Sequence, residues 1–216
     1  MDNWQRRLSN ELEGEVLFDD FSLGRYSSDA SIYQITPLGV AIPRNAADAV
    51  RALEIAADAG VAILPRGAGT SQCGQAVGEA LIIDSTRYLQ GIHEFDAENA
   101  TVWVEPGVVL DHLNAFLKPH GLWYPVDVST SAQATIGGMT ANNSCGARSI
   151  RYGNMVHNVL AVDAWSTSGD SMRFGEVGKQ PGGPAPYQKL VAKVQGIYAR
   201  EQDEIAARVP SVQRRV

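Results

Sequence analysis

The residues best suited to chemistry in this chain stand in two glycine-rich segments about seventy positions apart. The first, Pro65-Arg66-Gly67-Ala68-Gly69-Thr70-Ser71, directly follows an apolar run. The second is Thr135-Ile136-Gly137-Gly138-Met139-Thr140-Ala141-Asn142-Asn143-Ser144-Cys145-Gly146-Ala147-Arg148. Glycine permits tight turns and lets backbone N–H groups approach a ligand closely. The interleaved Thr, Ser and Asn supply hydroxyl and amide partners for a phosphate or a ring edge. Two such segments suit the two lips of a dinucleotide site.

The first segment meets neither common nucleotide-binding pattern. A Walker loop ends in Gly-Lys-Ser or Gly-Lys-Thr, bringing lysine to the phosphates, and no lysine stands between Leu64 and Leu81. The Rossmann fingerprint opens a helix, whereas residues 71–79 continue as Ser-Gln-Cys-Gly-Gln-Ala-Val-Gly-Glu. These residue types fit a pyrophosphate held by loop N–H groups and hydroxyls, with no helix dipole and no metal. A strand-to-turn glycine cluster without a ligand is the plain alternative for this loop alone. The second segment is the more specific, because Asn142, Asn143, Ser144, Gly146 and Arg148 concentrate polar groups in a long loop, and long loops in compact domains tend to be functional.

The elements that must position these segments follow from periodicity. Residues 46–59 form a helix, with Ala49, Val50, Leu53, Ala56 and Ala57 at helical spacing, Asn45 as N-cap and Gly60 as the stop. Val61-Ala62-Ile63-Leu64 is a strand that delivers the chain into the first loop. Further strands are expected at 80–84, 91–95, 101–105 and 159–166, and further helices at 109–118 and 187–208. Residues 1–17 are expected as a short helix and lead-in. Residues 19–29 are expected to be irregular, 32–35 and 39–42 extended, 125–134 and 142–153 without regular structure, and 175–186 an exposed linker. The order gives an α+β chain rather than a regular doubly wound sheet.

With 216 residues and 44% hydrophobic content, the chain can bury one substantial core or two small lobes sharing a cleft. A net charge of -6 with scattered basic residues argues against nucleic acid as partner. The amphipathic, charged N-terminus and the lack of an apolar run of about 18 residues give the expectation of a cytoplasmic protein with no membrane span. Cys73 and Cys145 lack CxxC spacing and are expected as small buried thiols packed beneath a cofactor. His93, His112, His120 and His157 are dispersed without metal-ligand spacing, so no metal site is expected, and His157 is assigned a structural role.

The segments 65–74, Val104-Glu105-Pro106-Gly107-Val108, Pro125-Val126-Asp127, 135–148 and Tyr152-Gly153 together resemble the FAD-binding domain of the vanillyl-alcohol-oxidase-type (PCMH-type) flavoproteins. The likeness covers residues 25–169 and is strongest to the branch of D-lactate, glycolate and D-2-hydroxyacid dehydrogenases, in particular the long members with a C-terminal iron–sulfur domain. It implies two α+β subdomains with FAD in the cleft between them. The boundaries expected are 1–30 for an N-terminal helix and arm, 31–90 for the subdomain with the pyrophosphate loop, 91–174 for the subdomain with the flavin-contacting loop, and 175–216 for a linker and C-terminal helix.

By the same resemblance Arg66, Gly67, Ala68, Gly69, Thr70 and Ser71, with Gly74 and Gln75, wrap the pyrophosphate. Asp127, Val128, Ser129 and Thr130, then Thr135, Gly137 and Gly138, line the ribityl and isoalloxazine portion. Asn142, Gly146 and Arg148 lie close to flavin or pyrophosphate, and Val159 approaches the adenine end. Thr70 stands where some members carry a flavin-linking histidine, so the FAD is expected to be non-covalent. The resemblance implies an oxidoreductase that oxidises a D-2-hydroxy acid, lactate- or glycolate-like, and passes electrons to an acceptor or an iron–sulfur domain. The substrate cap of such enzymes is expected to be absent here, leaving the isolated chain inactive and without catalytic residues of its own. The alternatives are a degenerate module used for assembly and the FAD domain of a sugar or alcohol oxidase.

Overall fold

The computed structural model describes residues 2–175 and 183–210. The chain opens with α1 (Asn3–Glu11), β1 (Glu15–Leu17) and α2 (Asp20–Tyr26), followed by β2 (Gly39–Ile42), α3 (Ala46–Asp58), β3 (Ile63–Arg66) and β4 (Leu81–Asp84). These seven elements make the first lobe. Its sheet runs β1-β2-β4-β3, with β2, β4 and β3 parallel and β1 antiparallel at the edge, Glu15 opposite Ile42. Helix α3 forms as its apolar spacing requires; the Asn45 side chain accepts from the Asp48 N–H at 2.9 Å, and Gly60 ends the helix with φ at 66°.

Both faces of the sheet are covered, which is why β2 is apolar at every position and buried throughout. Leu8 of α1 and Ala52, Ile55 and Ala56 of α3 pack on one face against Ala41 and Leu81. Val40, Ile42 and Ile82 face the other way, against Leu17, Leu23, Tyr26 and Leu64. The stretch 1–30, expected from the sequence as an N-terminal helix and arm, thus supplies both a core helix, α1, and an edge strand, β1.

Asp48 fastens that N-terminal stretch. Its buried carboxylate accepts from the backbone N–H groups of Glu13, Gly14 and Arg44 at 2.8, 2.7 and 2.9 Å. Removing the acceptor leaves three donors stranded, and bonds to a charged group are the stronger class. Asp48→Ala is expected to destabilise the chain by about 3 kcal/mol, with Asp48→Asn intermediate; urea unfolding followed by circular dichroism measures it.

The second lobe contains the hairpin β5 (Ile92–Asp96) and β6 (Thr101–Val104), then α4 (Leu110–Leu117), α5 (Ile136–Ala141), α6 (Ser149–Tyr152) and α7 (Met155–Asn158). Its core is Val108, Leu110, Leu113, Leu117, Val126, Ile136, Met139 and Met155. A second antiparallel hairpin, β7 (Ala161–Trp165) and β8 (Ser171–Gly175), turns at Gly169 with φ at 82°, and α8 (Ala185–Arg208) follows. No helix among the described residues is long and apolar enough to cross a membrane.

Several elements differ from the sequence expectation: residues 149–152 are a short helix within the stretch 142–153 expected without regular structure, and residues 32–35 form no strand beyond a single bridge at Gln34. Residues 20–26 are helical rather than irregular because Asp19 caps them, its side chain accepting from the Ser22 N–H at 3.0 Å. Residues 136–141 form a helix despite two glycines, capped by Thr135. Strand β8 pairs with β7 although its run, Ser-Met-Arg-Phe-Gly, is short and carries a charge. Most of the expected 175–186 linker lies outside the described residues.

Candidate functional site

A cleft of about 270 Å³ separates the lobes, and the two glycine-rich segments form its walls. Gly67, Ala68, Gly69, Thr70, Ser71 and Gln75 line one side. Val128, Thr130, Thr135, Gly138 and Asn142 line the other, with Pro65, Ala76, Ala134, Met139, Ala141 and Ser144 completing the surface. None of these residues carries a charge.

The first wall is what β3 delivers. Beyond Arg66 the chain leaves the sheet, and among the described residues no group accepts a hydrogen bond from the backbone N–H of Gly67, Ala68, Gly69, Thr70 or Ser71. Five consecutive backbone donors that no protein group engages, beside a cleft, are available to a bound anion. Gly69 holds φ at 68°, the left-handed region glycine favours, and its carbonyl accepts from the Ala30 N–H at 3.0 Å. Gly67 closes against the opposite wall, where a Cβ would stand 2.3 Å from Thr135 Oγ1.

The second wall rests on α4 and the chain before it. Val109 bridges Thr135 in antiparallel fashion, the Ile136 N–H donates to the Val108 carbonyl at 2.8 Å, and the Gly137 N–H donates to the Pro106 carbonyl at 2.9 Å. Thr135 is buried, and its Oγ1 accepts from the Gly138 N–H at 3.3 Å. The walls also touch directly. Asn142 Nδ2 donates to Ser71 Oγ at 3.3 Å, and Gln75 Nε2 donates to Asn142 Oδ1 at 3.3 Å.

Eight of the residues expected from the sequence are not among those lining the cleft. Arg66 turns its guanidinium onto backbone carbonyls, and Gly74, with φ at 77°, lies under the Tyr33 ring. Gly137 packs on Pro106, and Gly146 on Asp127. Asp127 accepts from the Arg148 N–H at 3.0 Å and pairs with its guanidinium at 3.6 Å, while Arg148 also stacks over Trp123. Ser129 is exposed, and Val159 packs against the second core. His157 has the structural role assigned to it, its Nδ1 accepting from the Asn154 N–H at 3.0 Å at the start of α7.

The cysteines require correction. Both Cys73 and Cys145 are exposed rather than buried beneath the site. The core positions under the second wall are taken by Ile136 and Met139, leaving Cys145 on the outer side of its turn. Met139 and Ala141 were not among the expected site residues because 136–141 looks like a turn, whereas Ser144 was expected only as one of the polar groups of the segment. Read as a helix capped by Thr135, the i, i+3 and i+4 positions bring Gly138, Met139, Ala141 and Asn142 toward one side.

This geometry fits a phosphate-bearing, partly apolar ligand: free amides and hydroxyls on one wall, small residues and Met139 on the other. The model of a family described as "FAD binding domain" matches residues 37–175, well over half of the chain. The chain belongs to that family. Among similar proteins, the D-2-hydroxyglutarate dehydrogenase of Pantoea ananatis is 40% identical over 147 residues, covering 67% of this FAD-binding chain and 14% of that protein. The glycolate oxidase subunit GlcD of Bacillus subtilis is 38% identical over 170 residues, covering 76% of the chain and 36% of GlcD. The chain therefore spans well under half the length of these relatives.

Among solved structures, 6-hydroxy-D-nicotine oxidase from Arthrobacter nicotinovorans superimposes with a TM-score of 0.69 at 21% identity, over 78% of this chain and 37% of that one. An alkyldihydroxyacetonephosphate synthase gives 0.72 at 18% identity, over 83% and 35%. At that identity the likeness is one of fold, and the fold is the α+β, PCMH-type FAD-binding fold expected from the sequence. FAD is the cofactor of the FAD-binding domain, and the uncharged cleft with its free amides suits the pyrophosphate and the flat ring system.

Proposed function

We propose that this chain is the cofactor-holding part of a flavin-dependent oxidoreductase which, in the complete protein, oxidises a D-2-hydroxy acid and passes the electrons to an acceptor. The observation that carries the reading is the run of free amides at Gly67, Ala68, Gly69, Thr70 and Ser71 along an uncharged wall. In this reading those amides, with the Thr70 and Ser71 hydroxyls, hold the FAD pyrophosphate. Val128, Thr130, Thr135, Gly138 and Asn142 line the side toward the ribityl chain and the ring.

FAD when bound supplies the hydride-accepting chemistry, and the protein supplies binding, orientation and electrostatics. The chain's own contribution is positional. Buried Thr135 fixes the start of α5, and the contacts of Asn142 with Ser71 and Gln75 hold the two walls at a set spacing. Asp127 and Arg148 join residues 126–128 to the loop before α6. Thr70 offers a hydroxyl at the wall, and no histidine lines the cleft among the described residues, which supports FAD held without a histidyl bond.

The substrate class rests on the similarity to D-2-hydroxyglutarate dehydrogenase and GlcD; the substrate-contacting groups and the electron acceptor, an iron–sulfur domain among them, come from outside the described residues. Exposed, unpaired Cys73 and Cys145 suit a reducing compartment such as the cytoplasm. Titration of the purified chain with FAD tests the cofactor assignment. Stoichiometric uptake, with a shifted flavin absorption band and quenched flavin fluorescence, is expected. A chain that takes up no FAD would mean a module kept for assembly alone.

A further inference from the structure

Arg66 is the cationic residue nearest the free amides, yet its guanidinium is committed elsewhere. Nη1 donates to the Tyr26 carbonyl at 3.0 Å and to the Ala76 carbonyl at 2.8 Å, and Nη2 donates to the Ser28 carbonyl at 2.7 Å. The three acceptors belong to two separate stretches. Tyr26 and Ser28 lie where α2 ends and the chain crosses toward the cleft, and Ala76 lies at the far end of the loop that Arg66 itself begins. One side chain therefore closes the loop 66–76 upon itself and ties it to residues 26–30.

Neighbouring contacts reinforce that arrangement. The guanidinium lies over the Tyr26 ring at 5.3 Å, and the Tyr26 hydroxyl donates to Asp84 Oδ2 at 2.6 Å. Asp84 is buried at the end of β4, directly opposite Arg66 in the parallel register. Asp29 accepts from the Ala76 N–H at 3.3 Å, and the Ala30 N–H donates to the Gly69 carbonyl at 3.0 Å. A Cβ on Gly69 would stand 2.7 Å from Arg66 Nη2, so the charge sits directly against the turn that presents the free amides.

We infer that Arg66 is a positioning residue rather than a phosphate ligand: its planar fork pins residues 26–30 and Ala76 around the loop, so that the amides of Gly67 to Ser71 are set for an anion before one arrives. This deepens the reading of the cleft as an FAD site and rests on it. A guanidinium presents five N–H donors in a fixed plane and can serve three carbonyls at once, whereas an ammonium is a compact point donor. The positive charge remains beside the loop and favours the anion through space without touching it.

The test pairs FAD affinity with hydrogen exchange in the flavin-free chain, comparing wild type with Arg66→Lys and Arg66→Met. Arg66→Met is expected to weaken FAD binding by about tenfold or more, the loss of a charged hydrogen-bonding group. It is also expected to speed exchange of the Ala30 and Ala76 amides before any FAD is added. Arg66→Lys, keeping the charge but not the fork, should fall between on both readouts. Weakened FAD binding with wild-type exchange in both variants would make Arg66 a direct phosphate ligand and overturn the inference, as would unchanged affinity in Arg66→Met. If Arg66→Met fails to fold, Arg66→Lys decides: faster exchange of those amides supports the clamp, and wild-type exchange refutes it. Failure of the wild type to take up FAD would refute the cofactor reading instead, while the exchange result still judges the clamp.

Discussion

Gly67→Val is expected to weaken FAD binding by at least about a hundredfold, about 2.8 kcal/mol. The first added carbon would lie 2.3 Å from Thr135 Oγ1, closer than any real contact. Thr135 cannot move aside freely, because it is buried, bridges Val109 and caps α5 through its Oγ1. Relief therefore comes from separating the two walls, which breaks the spacing that Asn142 sets with Ser71 and Gln75. The branched side chain would also crowd the cleft that Gly67 lines. Fluorescence titration measures the affinity. Gly24→Ala is the control: nothing lies within 4 Å of that position, and alanine in a helix interior is neutral to favourable.

Gly137→Val is expected to act on the fold and the site together. Its added carbon would meet the Pro106 Cα and carbonyl oxygen, each at 2.8 Å, and these backbone atoms have no rotamer to escape into. The Gly137 N–H also donates to that carbonyl, so displacement costs a hydrogen bond as well. Overpacking against backbone places the loss at about 3 kcal/mol or more. For a chain of this size that lowers the melting temperature by roughly 6–12 °C. Thermal denaturation followed by circular dichroism measures it, and FAD affinity should fall in the surviving folded protein because α5 no longer starts in place.

How far these features were legible in the sequence depends on whether the signal was local. Helix α3 announced itself through its apolar spacing, Asn45 and Gly60, and the run Ile63-Leu64 before Arg66 announced the strand that feeds the first loop. The glycines of that loop marked a wall of the cleft because backbone approach is a local property. Helix α5 was hidden because Gly137 and Gly138 lower helix propensity while close packing on Pro106 and the Thr135 cap override it. Helix α2 was masked by Asp and Ser, residues of loops and caps alike. The commitments of Arg66 could not be read at all, since Tyr26 and Ser28 stand about forty positions away and only the fold brings their carbonyls to one guanidinium. Exposure of Cys73 and Cys145 was equally non-local, decided by which side of each turn faces the core.

In the proposed complex the free amides of Gly67, Ala68, Gly69, Thr70 and Ser71 receive the pyrophosphate of FAD. Amide nuclear magnetic resonance of the isotope-labelled chain, with and without FAD, addresses those five groups one by one. FAD is expected to shift their signals and slow their exchange with solvent, more than for amides of the sheet's far edge such as Val16 in β1. Saturable FAD binding that leaves all five unshifted and freely exchanging would contradict that placement of the pyrophosphate.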